Sequence, residues 1–203
     1  GKMNDGLKKQ QIFMKRIAIF ASGEGTNAEA ITRYFNDRTD VRVVGVFGNR
    51  MKAGVFKRLS RYGIDSYYFS SEEWTKRKAE NVLRILTVKQ VDLVVLAGFL
   101  LVIPEELVEA YRGRIINIHP SLLPKYGGRG MWGMKVHEAV LDAKETESGI
   151  TIHYVDNEVD GGEIIFQATC PVLPEDTPED LANRVHSLEH HHFPRVVDGL
   201  VRD

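Results

Sequence analysis

The chain has 203 residues, 43% of them hydrophobic, and a formal net charge of -1 from 27 Lys+Arg against 28 Asp+Glu. That length suffices for one domain with a single good-sized core, and interspersed, balanced charge excludes the basic field that draws a protein to nucleic acid. The lone cysteine, Cys170, cannot close an internal disulfide, and no run approaches the roughly 18 apolar residues needed to cross a bilayer, so a soluble cytoplasmic protein without membrane or nucleic-acid partners is expected.

The leader, residues 1–13, is polar and lysine-rich and lacks the apolar stretch of a signal peptide; it is expected to be a disordered tail ahead of one domain over 14–203. Arg16 to Ser22 reads as a short buried strand, and Asn27 to Tyr34 carries helical spacing through Ala28, Ile31 and Tyr34. Between them Gly23 and Gly25 permit a tight turn, while Thr26 and Asn27 can cap the helix and leave amide hydrogens for an anion. Gly25, Thr26 and Asn27 are therefore candidate phosphate ligands, with a connector that binds nothing as the plain alternative. Glu24 is unexpected in such a cradle and tolerable there only with its side chain in water.

The same turn fits the dinucleotide fingerprint GxGxxA, with Ala28 as the third small residue. The next strand, Val41 to Phe47, runs into Gly48, Asn49 and Arg50 without the acidic residue that holds the ribose of NAD. Arg50 leaves an NADP-dependent oxidoreductase, or a non-catalytic nucleotide-binding module, as rival readings.

Ala53 to Tyr62 is expected as a helix, Ser66 to Phe69 as a short strand and Glu72 to Leu86 as a charged surface helix. Asp92 to Ala97 is apolar on both faces, as a central parallel strand is, and Gly98 lets the chain leave it closely. This alternation predicts an α/β fold: an open, mostly parallel, Rossmann-like sheet with helices on both faces. Leu100, Leu101, Val102 and Ile103 follow at the strand's C-terminal end, either as an apolar lip that shelters a flat ring or as ordinary core.

Arg114 to Pro124, RIINIHPSLLP, organises the rest. Ile115, Ile116 and Ile118 mark a buried strand that Pro120 ends. Asn117 and His119, two residues apart, share one face at the strand's C-terminal end, where ligands of open α/β sheets bind. An amide beside an imidazole can hold a carbonyl oxygen while negative charge develops on it, which is acyl-transfer chemistry without a side-chain nucleophile. The plain alternative is a pair of loop-fastening hydrogen bonds.

Residues 125–140, KYGGRGMWGMKVHEAV, combine glycines with Met131, Trp132 and Met134 and read as a mobile lid. His137 is a further candidate or a structural residue on a helix from Val136 to Leu141. Gly149 to Val155 is a strand that Ile164 to Val172 accompanies. Between them DNEVDGG, residues 156–162, is a carboxylate-rich turn able to bring Asp160 towards His119. Thr177 opens a helix with the capping box TPED. His186 and His190 lie one turn apart, as metal ligands do, but no carboxylate or cysteine pattern completes a site, so a solvated helix end and no metal are expected.

NIHPSLLPKY, the AGFL of residues 97–100, GEGTN of 23–27 and DGGEI of 160–164 together resemble the glycinamide ribonucleotide formyltransferases, folate-dependent enzymes of purine synthesis. The resemblance covers about Lys15 to Val197. It implies the formyltransferase fold, 10-formyltetrahydrofolate as co-substrate, no metal, and a monomer or homodimer acting on small molecules. It further implies Asn117, His119 and Asp160 as the catalytic trio and Gly25, Thr26 and Asn27 on the phosphate. By the same resemblance Glu189 meets the ribonucleotide, and Leu100 to Ile103 with Asn157, Glu158 and Val159 form the folate wall. Residues 14–112 would carry the phosphate-binding half and 113–203 the catalytic and folate-binding half.

The chain departs from the commoner family pattern, in which a shorter YPG segment leads into a histidine pair; here only His137 has a match. A formyltetrahydrofolate hydrolase would use the same trio, but such enzymes resemble this chain with an added N-terminal domain that thirteen leader residues cannot form. Methionyl-tRNA formyltransferases carry an added C-terminal domain and a basic surface, neither of which is seen.

Overall fold

The computed structural model describes residues 14–76 and 79–202; the expected tail, 1–13, lies outside the described residues. Strands β1 (Lys15–Phe20), β2 (Val41–Gly48), β3 (Ser66–Tyr68), β4 (Leu93–Leu96), β5 (Ile115–His119), β6 (Glu147–Tyr154) and β7 (Ile164–Pro171) form one sheet. The helices are α1 (Thr26–Phe35), α2 (Gly54–Ser60), α3 (Ser71–Lys76), α4 (Glu80–Val88), α5 (Glu105–Ala110), α6 (Met134–Asp142) and α7 (Pro178–Arg202). Strand order is β3-β2-β1-β4-β5-β6-β7, parallel through β5 and antiparallel for β6 and β7. The mostly parallel α/β sheet expected from the alternating pattern is present.

Period-two alternation splits the strand side chains between two cores. Ile17, Ile19, Val95, Ile116 and Ile152 pack with Ile31, Leu59, Val140, Val185 and Phe193 of α1, α2, α6 and α7. Ala18, Phe20, Val94 and Ile115 pack on the other face with Trp74, Val82, Leu86 and Leu107 of α3, α4 and α5. Burying a side chain of this size stabilises the fold by about 2 kcal/mol, and both faces of the central strands gain it.

The chain order reverses between β1 and β4, and in open α/β sheets that switch point opens a crevice at the carboxyl ends of the strands. The turn after β1 and the segment after β4 leave from this point, and both line the same cleft.

Two expectations are corrected. The single charged surface helix from Glu72 to Leu86 is two helices, with residues 77–78 outside the described residues, and it is not wholly superficial. Trp74 is buried, stacks on Phe69 with centroids 4.7 Å apart, and donates from Nε1 to the Val102 carbonyl at 2.8 Å. One inward aromatic among exposed glutamates leaves no periodic signal, yet it fixes the lip after β4. The second correction concerns α7, which runs through Pro194 to Arg202, so His186 to His192 lie within a helix rather than at its end. Its start matches the expected capping box: the Asp180 amide donates to Thr177 Oγ1 at 3.2 Å and the Thr177 amide to Asp180 Oδ2 at 3.0 Å. Helix α5, opened by Pro104, had no counterpart in the sequence reading. Among the described residues no helix is long and apolar enough to cross a membrane.

Candidate active site

Asn117 and His119 continue the row of Ile115 on β5 and reach the cleft where the strand ends. On the antiparallel side Asn117 stands opposite His153 of β6, and His119 opposite Thr151. Directly opposed residues share a face, so the register itself places a second imidazole beside the amide. Asn117 donates from Nδ2 to His153 Nε2 at 3.2 Å, while His153 Nδ1 is 2.8 Å from the Tyr154 carbonyl. A carbonyl only accepts, so the proton of the neutral His153 ring sits on Nδ1 and Nε2 is the acceptor. Burial pushes the His153 ring below its ordinary titration range, which keeps it in that neutral form. The sequence reading missed His153; its signal was a lone histidine inside the apolar strand TIHYV.

The chain after β5 is fastened by Thr151. Its hydroxyl donates to the Ser121 carbonyl at 2.7 Å and accepts from the Leu123 amide at 3.0 Å and from Gln167 at 2.9 Å. The turn so held presents the Tyr126 carbonyl to His119 Nε2 at 2.7 Å. Nε2 therefore carries a proton, and Nδ1 is the nitrogen left for chemistry.

Asp160 comes from the β6–β7 turn with φ 56, a left-handed conformation that Asp tolerates better than most residues. The turn is narrow: a Cβ at Gly162 would fall 1.7 Å from the Tyr154 carbonyl oxygen. Asp160 Oδ2 accepts from the Gly128 amide at 2.9 Å and lies 3.7 Å from His119 Nδ1; Oδ1 is 3.9 Å from His153 Nε2. These ion-pair distances exceed a hydrogen bond, so a proton or a water is needed to join the carboxylate to either ring. The structure thus brings Asn117, His119 and Asp160 together across 43 residues of chain, and adds His153 to them.

At the other end of the cleft Gly25 takes φ 76, and a Cβ there would sit 2.4 Å from Val55 Cγ2, so only glycine fits. Thr26 and Asn27, whose first-turn amides have no intrahelical partner, line the cleft. Glu24 turns its carboxylate outwards, 3.8 Å from Arg58, which accounts for an acid in an anion cradle. Glu189 of α7 is buried against this turn, and burial pushes its carboxyl up to about 7 despite a hydrogen bond from Asn27. His137 of α6 is buried as well, with Nδ1 unpartnered, and burial lowers it to about 4.

The cleft that joins these two ends encloses about 630 Å³. Leu100, Leu101, Val102 and Ile103 line it; Val102 is 68% exposed and Ile103 is buried. Asn157, Glu158 and Val159 line the same cleft. Arg50, which would meet the extra phosphate of NADP, does not. No group of three or more His, Cys, Asp or Glu able to hold a metal occurs among the described residues.

Known proteins resemble this chain over most of its length. The family model described as Formyl transferase matches residues 15–197. The phosphoribosylglycinamide formyltransferase of Bacillus subtilis is 37% identical over 191 residues, covering 93% of this chain and 95% of that protein. The trifunctional purine biosynthetic protein adenosine-3 of Drosophila melanogaster is 40% identical over 192 residues, and this chain spans only 14% of its length. The crystal structure of glycinamide ribonucleotide transformylase 1 from Geobacillus kaustophilus superposes with a TM-score of 0.85 at 36% identity, covering 93% of this chain and 99% of that one. With a family model matching nearly from end to end and the strand-end polar group in place, the chain belongs to the formyl transferase family.

Proposed function

We propose that the chain transfers the formyl group of 10-formyltetrahydrofolate to the amine of glycinamide ribonucleotide, in the cytoplasm and between freely diffusing substrates. The observation that carries this reading is the 3.7 Å approach of His119 and Asp160 beside the Asn117 amide, within one cleft that also opens onto the glycine turn. The ribonucleotide lies with its phosphate on Gly25, Thr26 and Asn27 and its ribose hydroxyls on Glu189. The folate ring lies between Leu100 to Ile103 and the turn Asn157 to Val159, and residues 125–135 close over it.

The substrate amine, with a pKa of about 8, is substantially neutral near pH 7 and needs no strong base to attack. Its nitrogen bonds to the formyl carbon, and the carbonyl oxygen becomes an oxyanion that accepts from Asn117 Nδ2. His153 takes one Nδ2 hydrogen and so aims the other at the oxyanion; one such donor contributes about 3 kcal/mol to the barrier. The new ammonium gives its proton to Asp160, directly or through a water. Asp160 passes that proton to the free Nδ1 of His119, which delivers it to N10 as the carbon–N10 bond breaks, so tetrahydrofolate leaves neutral and both the ring and the carboxylate return to their starting states. Aligning two bound substrates supplies a further large share, on the order of 7 kcal/mol. No metal enters this scheme.

The test is an assay with 10-formyltetrahydrofolate in the presence and absence of the ribonucleotide. Tetrahydrofolate released only with the ribonucleotide is the expected result; equal release without it identifies a hydrolase and removes the proposal.

A further inference from the structure

The segment after β4, residues 98–103, lines the cleft and belongs to neither a helix nor a strand. It turns inward at both ends: the Phe99 ring meets Trp74 edge-on at 5.5 Å and Phe20 at 5.4 Å, and Ile103 is buried. Between these ends Leu100 is 42% exposed and Val102 more so, which makes the segment an arch that keeps apolar side chains out of the core. Apolar surface left in water is unfavourable, and an arch free to move would lay these side chains on their neighbours.

Backbone pairing does not hold the arch. Among the described residues no backbone–backbone hydrogen bond reaches residues 99–103. Two side chains do so instead. The buried Ser22 hydroxyl accepts from the Leu100 amide at 2.9 Å, and the buried Trp74 indole gives its Nε1 hydrogen to the Val102 carbonyl. The two anchors are themselves joined. Ser22 Oγ donates to Asn49 Oδ1 at 2.8 Å, and Asn49 Nδ2 donates at 3.3 Å to the hydroxyl of Ser71, the first residue of α3. The arch, Ser22, Asn49 and the helix that carries Trp74 therefore close a ring. Stacking on Phe69 does not by itself call for a tryptophan, since a phenylalanine also stacks. A buried indole N–H needs an acceptor, and this one finds the arch.

We propose that Trp74 and Ser22 are positioning residues for the folate wall, and that their two bonds hold the arch in its receiving shape before the co-substrate arrives. The inference rests on the reading that sets the folate ring against Leu100 to Ile103. Neither residue lines the cleft, so each acts through the arch. A wall ordered in advance spares the ligand the entropy of ordering it. That gain is shared by the bound substrate and the transition state, so it belongs to the folate KM and leaves kcat alone.

The experiment is steady-state kinetics of two variants, with 10-formyltetrahydrofolate varied at saturating ribonucleotide and the reverse. Trp74→Phe keeps a ring and removes the N–H; Ser22→Ala removes one oxygen. Each is expected to raise the folate KM about fivefold, with kcat and the ribonucleotide KM nearly unchanged. Leu86→Val, in the same core as Trp74 but with no hydrogen bond to give the arch, controls for general loosening and should leave the folate KM where it is. An unchanged folate KM in either folded variant overturns the positioning role and leaves the functional reading standing. So does a parallel rise in both KM values, or an equal rise in Leu86→Val. Wild type that fails to turn over 10-formyltetrahydrofolate with the ribonucleotide removes the functional reading as well. Should Trp74→Phe fail to fold, Ser22→Ala decides alone, because it leaves the aromatic cluster around Trp74 intact.

Discussion

The two ends of the cleft are built on opposite principles. At the end of β5 the polar groups are tied down: His119 to the Tyr126 carbonyl, His153 to the Tyr154 carbonyl, Asn117 to His153, Asp160 to the Gly128 amide. Around the glycine turn and α6, Asn27 Oδ1 and His137 Nδ1 are buried without partners, and Glu189 is buried with one amide to share. The first region is set before any ligand arrives, as a site that stabilises a transition state must be. The second holds unmet polar capacity, as a site that gains its energy from binding does.

The sharpest way to break this contrast is at the tied end. Asn117→Ala and His119→Ala are expected to fold and to lose about 3 to 4 kcal/mol of transition-state stabilisation each, a hundredfold or more in kcat, with the KM for ribonucleotide nearly unchanged. Steady-state kinetics read this, and near-normal turnover in both variants removes the mechanism.

The loose end is expected to show in stability instead. Glu189 keeps its proton in the folded chain up to about pH 7 but loses it near 4.5 when unfolded, so the stability it confers is complete below pH 4.5 and lost as pH rises to about 7. His137 is the mirror case: neutral down to about 4 when folded but protonated below 6.5 when unfolded, so its stability is lost as pH falls through that window. Each shift is worth about 3 kcal/mol, and between pH 4.5 and 6.5 the two oppose one another. Urea unfolding should therefore show Glu189→Gln gaining on wild type as pH rises from 4.5 to 7, and His137→Asn gaining as pH falls from 6.5 to 4. Parallel profiles in all three proteins would show that neither group is buried as described.

A smaller effect separates positioning from contact. His153→Ala leaves an Asn117 hydrogen unpaired and is expected to cost about 1 to 2 kcal/mol in kcat, with His153→Gln recovering part of it through an acceptor at a similar place. The smallest expected change is at the turn. Asn27→Ala should raise the ribonucleotide KM about threefold without moving the folate KM. Gly25→Val is the poorer probe, because the clash with Val55 would unsettle the fold before it touched a substrate.

Much of this architecture was legible because local rules agree with the global fold. The alternation of apolar strands with helical spacing gave the sheet, TPED gave the start of α7, and Asn117 with His119 stood out as polar residues at matched positions in an apolar strand. His153 was not legible, since it becomes visible only once the antiparallel register sets it opposite Asn117. Trp74 was hidden by its acidic neighbours. The histidine run is exposed at His186 and His191, as a solvated segment is, but it does not lie at a helix end. In fact Phe193 and Val197 bury the next turns of α7, and the helix lies against α1.

That last packing has a mechanical consequence. The contact between Thr26 and His190 spans 164 residues, so the first helix of the domain is sewn to the last across nearly the whole chain. A molecule bound in this seam acts as a reversible cross-link, and it should slow detachment of α7, protease nicking there, and amide exchange along it in proportion to occupancy. Ligand concentration would then set how long the domain stays closed upon itself.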